Sequence, residues 1–73
     1  MTIIKGNATI INPNAVKLVG DAIRFLYGEQ ANYCFSFPTD AEARDAYEEI
    51  IQAIKEECAW IDLDIVLKNR KHM

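Results

Sequence analysis

Apolar residues recur every three or four positions in the second half of the chain, which is the spacing of one helix face. The members of this stripe are Ala43, Tyr47, Ile50, Ile54, Cys58 and Ile61. Pro38 ends the segment before it, and Thr39 stands three residues ahead of Glu42. In that spacing the Thr39 hydroxyl accepts the backbone N–H of Glu42 and caps a helix. The pattern predicts one long helix over residues 39–59.

In the first half of the chain, apolar and polar residues alternate with the period of a β-strand. The predicted strands cover residues 2–11, 15–19, 22–28 and 32–37. Asn12-Pro13-Asn14 is a turn, because proline lacks the N–H that a central strand needs and asparagine tolerates turn conformations. Gly6-Asn7 offers an alternative in which a tight turn divides the first strand into two short arms.

Residues 15–27 allow two interpretations. Four apolar residues have helical spacing: Val16, Val19, Ile23 and Leu26. Gly28 would cap the end of such a helix. Against it, Gly20-Asp21 in the middle is a turn signal made of two poor helix formers, and the β-branched and aromatic content favours strands. We therefore predict a hairpin and keep the helix as the alternative.

The apolar period changes from 3.6 to two between Trp60 and Lys68. This predicts a strand over residues 61–68, with a continued helix as the alternative. Asp62 and Asp64 would share one face of that strand, but two carboxylates are too few oxygen ligands for Mg²⁺, so no metal site is predicted. Residues 69–73 form a basic tail that we expect to fray.

Together these elements predict a single small α+β domain over residues 1–73. Its architecture is a small antiparallel β-meander of three or four strands, packed on one long α-helix in the C-terminal half and followed by a short edge strand. A chain of 73 residues is close to the lower size limit for a self-sufficient core. We therefore expect a partner subunit to contribute to its stability.

Composition and charge narrow the class of protein. With 51% apolar and 26% charged residues, the chain has the composition of an ordered globular protein. Its formal net charge of −3 disfavours a large nucleic-acid or anionic-membrane contact. No segment has the length of a transmembrane helix, and no signal peptide opens the chain, so the expected compartment is the cytoplasm.

The sequence shows no arrangement that points to catalysis. Its single histidine, His72, lies in the basic tail, so neither Cys34 nor Cys58 has a readable general base. The two cysteines are predicted on opposed faces, which disfavours a disulfide between them. The three glycines are spaced as turns rather than clustered as a phosphate-binding loop. We predict a non-enzymatic protein without metal or cofactor.

Apolar residues are left over once the helix covers one face of the sheet. The predicted interface residues are Val19, Leu26, Cys34, Ile51, Trp60 and Val66. The first three lie on the opposite face of the meander, and the others point away from the helical stripe. Exposed apolar patches of this kind mark interfaces, so we predict a homo-oligomer, a dimer or larger, formed through the open sheet face or the C-terminal strand.

Two functions are compatible with these features. The first is a small homo-oligomeric interaction module, such as an accessory or inhibitor protein, that acts by binding another protein. The alternative is a protein that sequesters or senses a nucleotide or small metabolite in a pocket between subunits. For this alternative, the aromatic candidates to stack on a base are Tyr27, Tyr33 and Trp60, and the basic candidates to bind phosphates are Lys17, Arg24 and Arg70.

Overall fold

The computed structural model describes residues 1–28 and 31–71, and they form a small α+β fold. Its elements in chain order are β1 (Thr2–Lys5), β2 (Ala8–Ile11), β3 (Ala15–Val19), β4 (Ala22–Tyr27), β5 (Ala31–Ser36), α1 (Asp40–Lys55), β6 (Trp60–Asp62) and α2 (Leu63–Lys71).

The strands form two sheets rather than the single meander that the sequence predicts. The N-terminal sheet has the order β2-β1-β6, in which β1 is antiparallel to β2 and parallel to β6. The central sheet is the antiparallel meander β3-β4-β5. Asn12-Pro13-Asn14 separates the two sheets, because a proline at this point interrupts continuous pairing.

Two short turns divide the first half of the chain into hairpins. Gly6 has φ +59° and Gly20 has φ +61°, and each opens a two-residue connection between paired strands. Glycine adopts these positive φ angles without a steric penalty, and the resulting turns match the strand twist. The hairpin interpretation of residues 15–27 is confirmed. The single strand over 2–11 is wrong, and the alternative with two arms is correct.

Helix α1 begins as its sequence signal predicts. Thr39 is the N-cap, and its hydroxyl accepts the Glu42 N–H at 3.1 Å. The buried face of the helix differs from the predicted stripe, however. It consists of Ala43, Ala46, Ile50 and Ala53, whereas Ile54 is exposed. Alanines on this face let α1 approach β3, β4, β6 and α2 closely.

Helix α1 ends in a Schellman motif, in which two N–H groups beyond the helix return to its last carbonyls. The N–H of Glu57 donates to the Ile54 carbonyl at 3.1 Å, and that of Cys58 donates to the Ala53 carbonyl at 3.0 Å. Glu57 has φ +57°, a conformation that glycine usually supplies at this position. The predicted range 39–59 is therefore too long, and Cys58 lies in a connection rather than on the helical stripe.

A second helix replaces most of the predicted strand over 61–68. Asp62 ends β6 and caps α2, since its Oδ1 accepts the N–H groups of Asp64 at 3.0 Å and Ile65 at 3.3 Å. A continued α1 is equally wrong, because β6 intervenes. Residues 69–71 of the predicted tail belong to α2, and residues 72–73 lie outside the described part. Neither described helix is long and apolar enough to cross a membrane.

The hydrophobic core joins both sheets and both helices. Phe25 and Phe35 of the central sheet meet edge-to-face, with ring centroids 5.0 Å apart. The buried members are Ile3, Ile10, Ile23, Phe25, Phe35, Phe37, Ala43, Ala46, Ile50, Ala53, Ile61 and Leu63. Each sheet thus turns one face inward, and its other face lies on the outside.

Candidate interaction surfaces

The outer face of the N-terminal sheet carries two large, exposed apolar side chains, Ile11 and Trp60. Strand register places Ile3, Ile10 and Ile61 together on the inner face, where all three are buried. Side chains alternate along a strand, so their neighbours share the outer face. The outer-face residues are Thr2, Ile4, Thr9, Ile11, Trp60 and Asp62.

Ile11, Thr2 and Trp60 lie in one row across this face, because Thr2 is in register with both of the others. Ile11 and Trp60 are each 60% exposed. Neighbouring strands are spaced by about 4.8 Å, which puts the two large side chains about 10 Å apart. This row is the centre of the candidate site.

A concavity of about 380 Å³ adjoins Ile11 at the β2 edge. The Tyr27 hydroxyl donates to the Ile11 carbonyl at 2.6 Å, which ties β4 to β2. The Tyr33 ring stands perpendicular to that of Tyr27, with centroids 5.7 Å apart, and remains 54% exposed. The described lining is Thr9, Ile10, Ile11, Tyr27 and Tyr33, none of which is charged.

A second concavity, of about 280 Å³, lies along the opposite edge of the sheet beside Trp60, and we call it the Trp60 groove. Strand β6 pairs only with β1 among the described strands, so its other edge opens into this groove. Ile65 forms the facing wall and is 53% exposed. The lining residues are Glu49, Gln52, Ala53, Glu56, Cys58, Trp60, Ile61, Asp62, Ile65 and Val66.

Two local motifs build the Trp60 groove. The Schellman motif turns the chain sharply after α1 and leads it through Cys58 to Trp60. The Asp62 cap then starts α2 immediately after β6, which places Ile65 opposite the end of α1. The floor consists of Ala53 and Ile61, both nearly buried. A small residue at position 53 leaves room above the floor for an entering side chain.

The groove is bordered by negative charge. Its described lining includes the carboxylates of Glu49, Glu56 and Asp62 but no lysine or arginine. The Glu56 carboxylate accepts a hydrogen bond from the Gln52 amide at 2.8 Å, a neutral donor that does not cancel its charge. Glu49 lies 3.6 Å from Arg70, a cation that other carboxylates share.

The two concavities and the row between them form one continuous surface, which we call the apolar band. It consists of Tyr33, Ile11, Thr2, Trp60 and Ile65. Four of these side chains are more than half exposed. Contiguous exposed apolar surfaces often belong to interaction sites, so the apolar band is a candidate interaction surface.

The outer face of the central sheet, which the sequence singles out, is different. Cross-strand register places Lys17, Arg24 and Cys34 in one row across it. This row separates Val19, at one end of the hairpin, from Leu26 at the other. Both cysteines are exposed and unbridged. The central sheet therefore has no continuous apolar surface on its described outer face.

The structure does not bring the six predicted interface residues together. Val19, Leu26 and Cys34 lie on the outer face of the central sheet. Trp60 and Val66 both line the Trp60 groove. Ile51 lines a separate concavity with Ile54, between α1 and the N-terminal segment. Trp60 and Val66 are thus the part of the predicted interface that belongs to one site.

The predicted base-stacking and phosphate-binding residues are also dispersed. Tyr27 and Tyr33 meet, but Lys17 and Arg24 lie on the opposite face of the same sheet. Trp60 belongs to the N-terminal sheet. One chain therefore does not combine these aromatic rings and cations in a nucleotide site.

Arg70 is already engaged by carboxylates of α1. Its Nη2 lies 3.3 Å from Asp45 and 2.9 Å from Glu48, and its Nη1 lies 3.6 Å from Glu49. The hydrogen bond to Glu48, followed by the neighbouring negative charges, raises the pKa of Arg70 above its ordinary value. The predicted role of this residue in binding phosphates stays a prediction, and it would require these ion pairs to open. Arg70 attaches α2 to α1.

Asp62 and Asp64 also have structural roles. Asp62 caps α2, and the Asp64 Oδ2 accepts the Gly6 N–H at 2.9 Å, which attaches α2 to the β1–β2 turn. Within residues 1–28 and 31–71, no group of three or more histidine, cysteine or acidic side chains is placed to hold a metal ion. His72 lies outside the described residues.

Sequence reasoning missed Ile11 and Ile65. Ile11 belongs to the site because it is in register with Thr2. Thr2 is in turn in register with Trp60, through the parallel pairing of β1 with β6. The apolar alternation places Ile65 in a strand that does not form. The available signal was Asp62, because aspartate is a preferred N-cap residue and a helix that begins there includes Ile65.

Comparisons with protein-family models, curated proteins and solved structures found no match to this chain. Function is therefore inferred from the exposed surfaces and their chemistry.

Proposed function

We propose that this protein is a small, non-enzymatic, homo-oligomeric interaction module that acts by binding another protein. The observation that carries the proposal is the apolar band, which runs across the outer face of the N-terminal sheet. Copies of the chain associate through the uncharged part of the band, from Tyr33 through Ile11 to Thr2. The remaining part, at the Trp60 groove, faces a different partner.

Charge supports a second copy as the occupant of the uncharged part. The described residues of the sheet face and of the Tyr27–Tyr33 concavity include one ionisable carboxylate, that of Asp62. Its Oδ1 already accepts two N–H groups of α2. This part of the surface therefore carries less negative charge than the Trp60 groove, and sheet faces pack well at a separation of about 10 Å.

The expected strength of this association is modest. Burying the exposed parts of Ile11 and Tyr33 is worth roughly 1–2 kcal/mol for each side chain, at about 25 cal/mol per Å². Across both copies the total is comparable with the ~4–15 kcal/mol that association costs in lost freedom. We therefore expect a concentration-dependent oligomer rather than a permanent one.

Light scattering during size-exclusion chromatography tests this proposal with a matched pair of variants. Ile11→Lys places a charge on the apolar band, and Val19→Lys places the same charge on the outer face of the central sheet. Both residues are β-branched strand residues, at 60% and 51% exposure, so neither change removes a core side chain. We expect wild type and Val19→Lys to associate, and Ile11→Lys to be monomeric at the same concentration.

Two results would contradict the proposal. If wild type stays monomeric up to millimolar concentration, the band does not join copies of the chain. If Val19→Lys dissociates the oligomer and Ile11→Lys does not, the copies meet through the central sheet instead.

Binding of an uncharged aromatic metabolite is the second candidate. The concavity beside Tyr27 and Tyr33 measures about 380 Å³, within the roughly 300–1,000 Å³ typical of small-molecule sites. Its described lining contains no cation, which disfavours a phosphate-bearing ligand. Native mass spectrometry of untagged protein separates the candidates, because a retained ligand adds a defined mass to each subunit and a protein interaction module carries none.

A further inference from the structure

We infer that the Trp60 groove binds a cationic amphipathic segment of another protein. The inference rests on the proposed interaction function and specifies the chemistry of the partner. It concerns the acidic end of the apolar band, whereas self-association uses the uncharged end. The occupant has apolar side chains that enter the groove and lysines or arginines that meet its rim.

The lining of the groove suits apolar side chains of a polypeptide. Its volume is about 280 Å³. Ala53 and Ile61 form an apolar floor between Trp60 and Ile65. Such a space accommodates one or two aliphatic side chains, and an exposed tryptophan beside an apolar pocket is a common anchor of protein interfaces.

Charge decides the identity of the occupant. Glu49, Glu56 and Asp62 border the groove, and its described lining has no basic side chain. A second copy that docked groove to groove would bring two negatively charged rims together, which is unfavourable in an apolar contact. A basic segment neutralises them, and its lysine or arginine stems pack on the Trp60 ring.

The negative charge is available to a partner. Glu56 is hydrogen-bonded only to the uncharged Gln52 among the contacts of its described neighbours. Arg70 does not neutralise Glu49 alone, because Asp45 and Glu48 lie closer to the same guanidinium. The rim therefore keeps a net negative potential, which also attracts a basic segment from a distance.

Trp60 provides a direct measurement, because it is the chain's single tryptophan. Its fluorescence is followed while three tryptophan-free synthetic peptides are added. The first is a helical peptide with leucines at i, i+3 and i+7 and lysines on the flanking positions. The second replaces each lysine by glutamate, and the third keeps the composition of the first but distributes the leucines evenly around the helix.

We expect the first peptide to shift the emission of Trp60 and to bind at least about tenfold more tightly than the other two. Raising the salt concentration should weaken this binding, since ion contacts at the rim are screened within a few ångströms at high salt. Equal binding of the lysine and glutamate peptides would overturn the charge argument. If the peptide with evenly distributed leucines binds as tightly as the first, the contact is ionic and non-specific. That result would overturn the inference that the groove binds apolar side chains.

Two matched pairs of variants locate the contact. Ile65→Lys places a charge inside the groove, whereas Ile54→Lys places it at a similarly exposed helical isoleucine that lines a different concavity. Glu56→Gln removes a rim charge, whereas Glu57→Gln removes the next carboxylate along the chain, which does not line the groove. We expect Ile65→Lys to abolish binding, Glu56→Gln to weaken it severalfold, and each control to bind as wild type does.

The titration is repeated with the Ile11→Lys variant, which separates this inference from the proposed self-association. If Ile11→Lys is monomeric and still binds the cationic peptide, both proposals stand. If the oligomer forms as proposed but no peptide shifts Trp60, only the groove inference fails. If the peptide binds and the wild-type chain is monomeric, self-association fails and the groove inference stands.

Discussion

Each sheet turns one face to the shared core, and in each the described elements leave the opposite face open. On the central sheet that open face carries the row of Lys17, Arg24 and Cys34. On the N-terminal sheet the corresponding row is Ile11, Thr2 and Trp60. The first row contains two cations that favour hydration, and the second contains two large apolar side chains. Alternation along a strand therefore identifies an open face, but the row across the strands decides whether that face is charged or apolar.

The charges of the central sheet also divide the apolar residues of its outer face. Lys17 and Arg24 are directly opposite each other, and like charges in that position repel. A protein that placed a second chain here would have to desolvate both cations, which is unfavourable without acidic partners. The outer face of the central sheet is therefore costly to desolvate, whereas that of the N-terminal sheet carries two large apolar side chains.

The largest expected effect concerns the inner faces, where the two sheets should behave alike. Ile3 and Ile23 are both completely buried, one on each sheet. Replacing either by alanine should reduce the free energy of unfolding by about 2–5 kcal/mol, since each change removes buried methyl groups and leaves a cavity. Urea denaturation at a concentration where the chain is monomeric measures both values.

Ile11→Ala is the control on an outer face. It should reduce the free energy of unfolding by under about 1 kcal/mol, because the side chain is mostly exposed. A loss as large as that of Ile3→Ala would mean that Ile11 belongs to the core of the single chain. The apolar band would then be shorter than described.

The parts of the fold that follow local signals were predictable. Thr39 caps α1 as its spacing with Glu42 indicates, and Gly20-Asp21 turns the β3–β4 hairpin. The end of α1 was not predictable from local signals, because Glu57 instead of the usual glycine occupies the left-handed position of its Schellman motif. The alternation around Leu63 also suggested a strand, yet the Asp62 cap begins a helix there.

The candidate site was predictable only in part, for a different reason. Trp60 and Val66 were recognised as surplus apolar residues, and both line the groove. Their neighbours depend on the parallel pairing of β1 with β6, which joins residues separated by most of the chain. No local pattern encodes that pairing. Register between distant strands, rather than composition, brings Ile11 and Trp60 onto one face.

A smaller effect tests the single charge on the outer face of the N-terminal sheet. Asp62→Ala removes the cap of α2 and should reduce the free energy of unfolding by about 1 kcal/mol. Asp62→Asn removes the charge but keeps an oxygen that can cap the helix, so it should be nearly neutral. Thermal unfolding of the two variants separates the cap from the charge.

The same two variants sharpen the comparison between the faces. If the outer face of the N-terminal sheet joins copies through apolar contacts, Asp62→Asn should leave the oligomer intact or strengthen it. Dissociation by Asp62→Asn would indicate that the charge itself takes part in the contact, which would make the two outer faces more similar than their rows suggest.

The smallest expected effect lies on the central sheet. Arg24→Glu replaces a pair of like charges by a pair of opposite charges across from Lys17, which should raise the free energy of unfolding by about 0.5 kcal/mol. Arg24→Gln removes the repulsion without adding an attraction, so it should raise the free energy of unfolding by a smaller amount. Both gains should fall as salt is added, because the side chains of Lys17 and Arg24 are exposed and their interaction is screened.

Neither the Arg24→Glu nor the Arg24→Gln variant should change the oligomeric state. If Arg24→Glu dissociates the oligomer, the basic row is part of an interface after all, and hydration is not what distinguishes the central sheet from the N-terminal one.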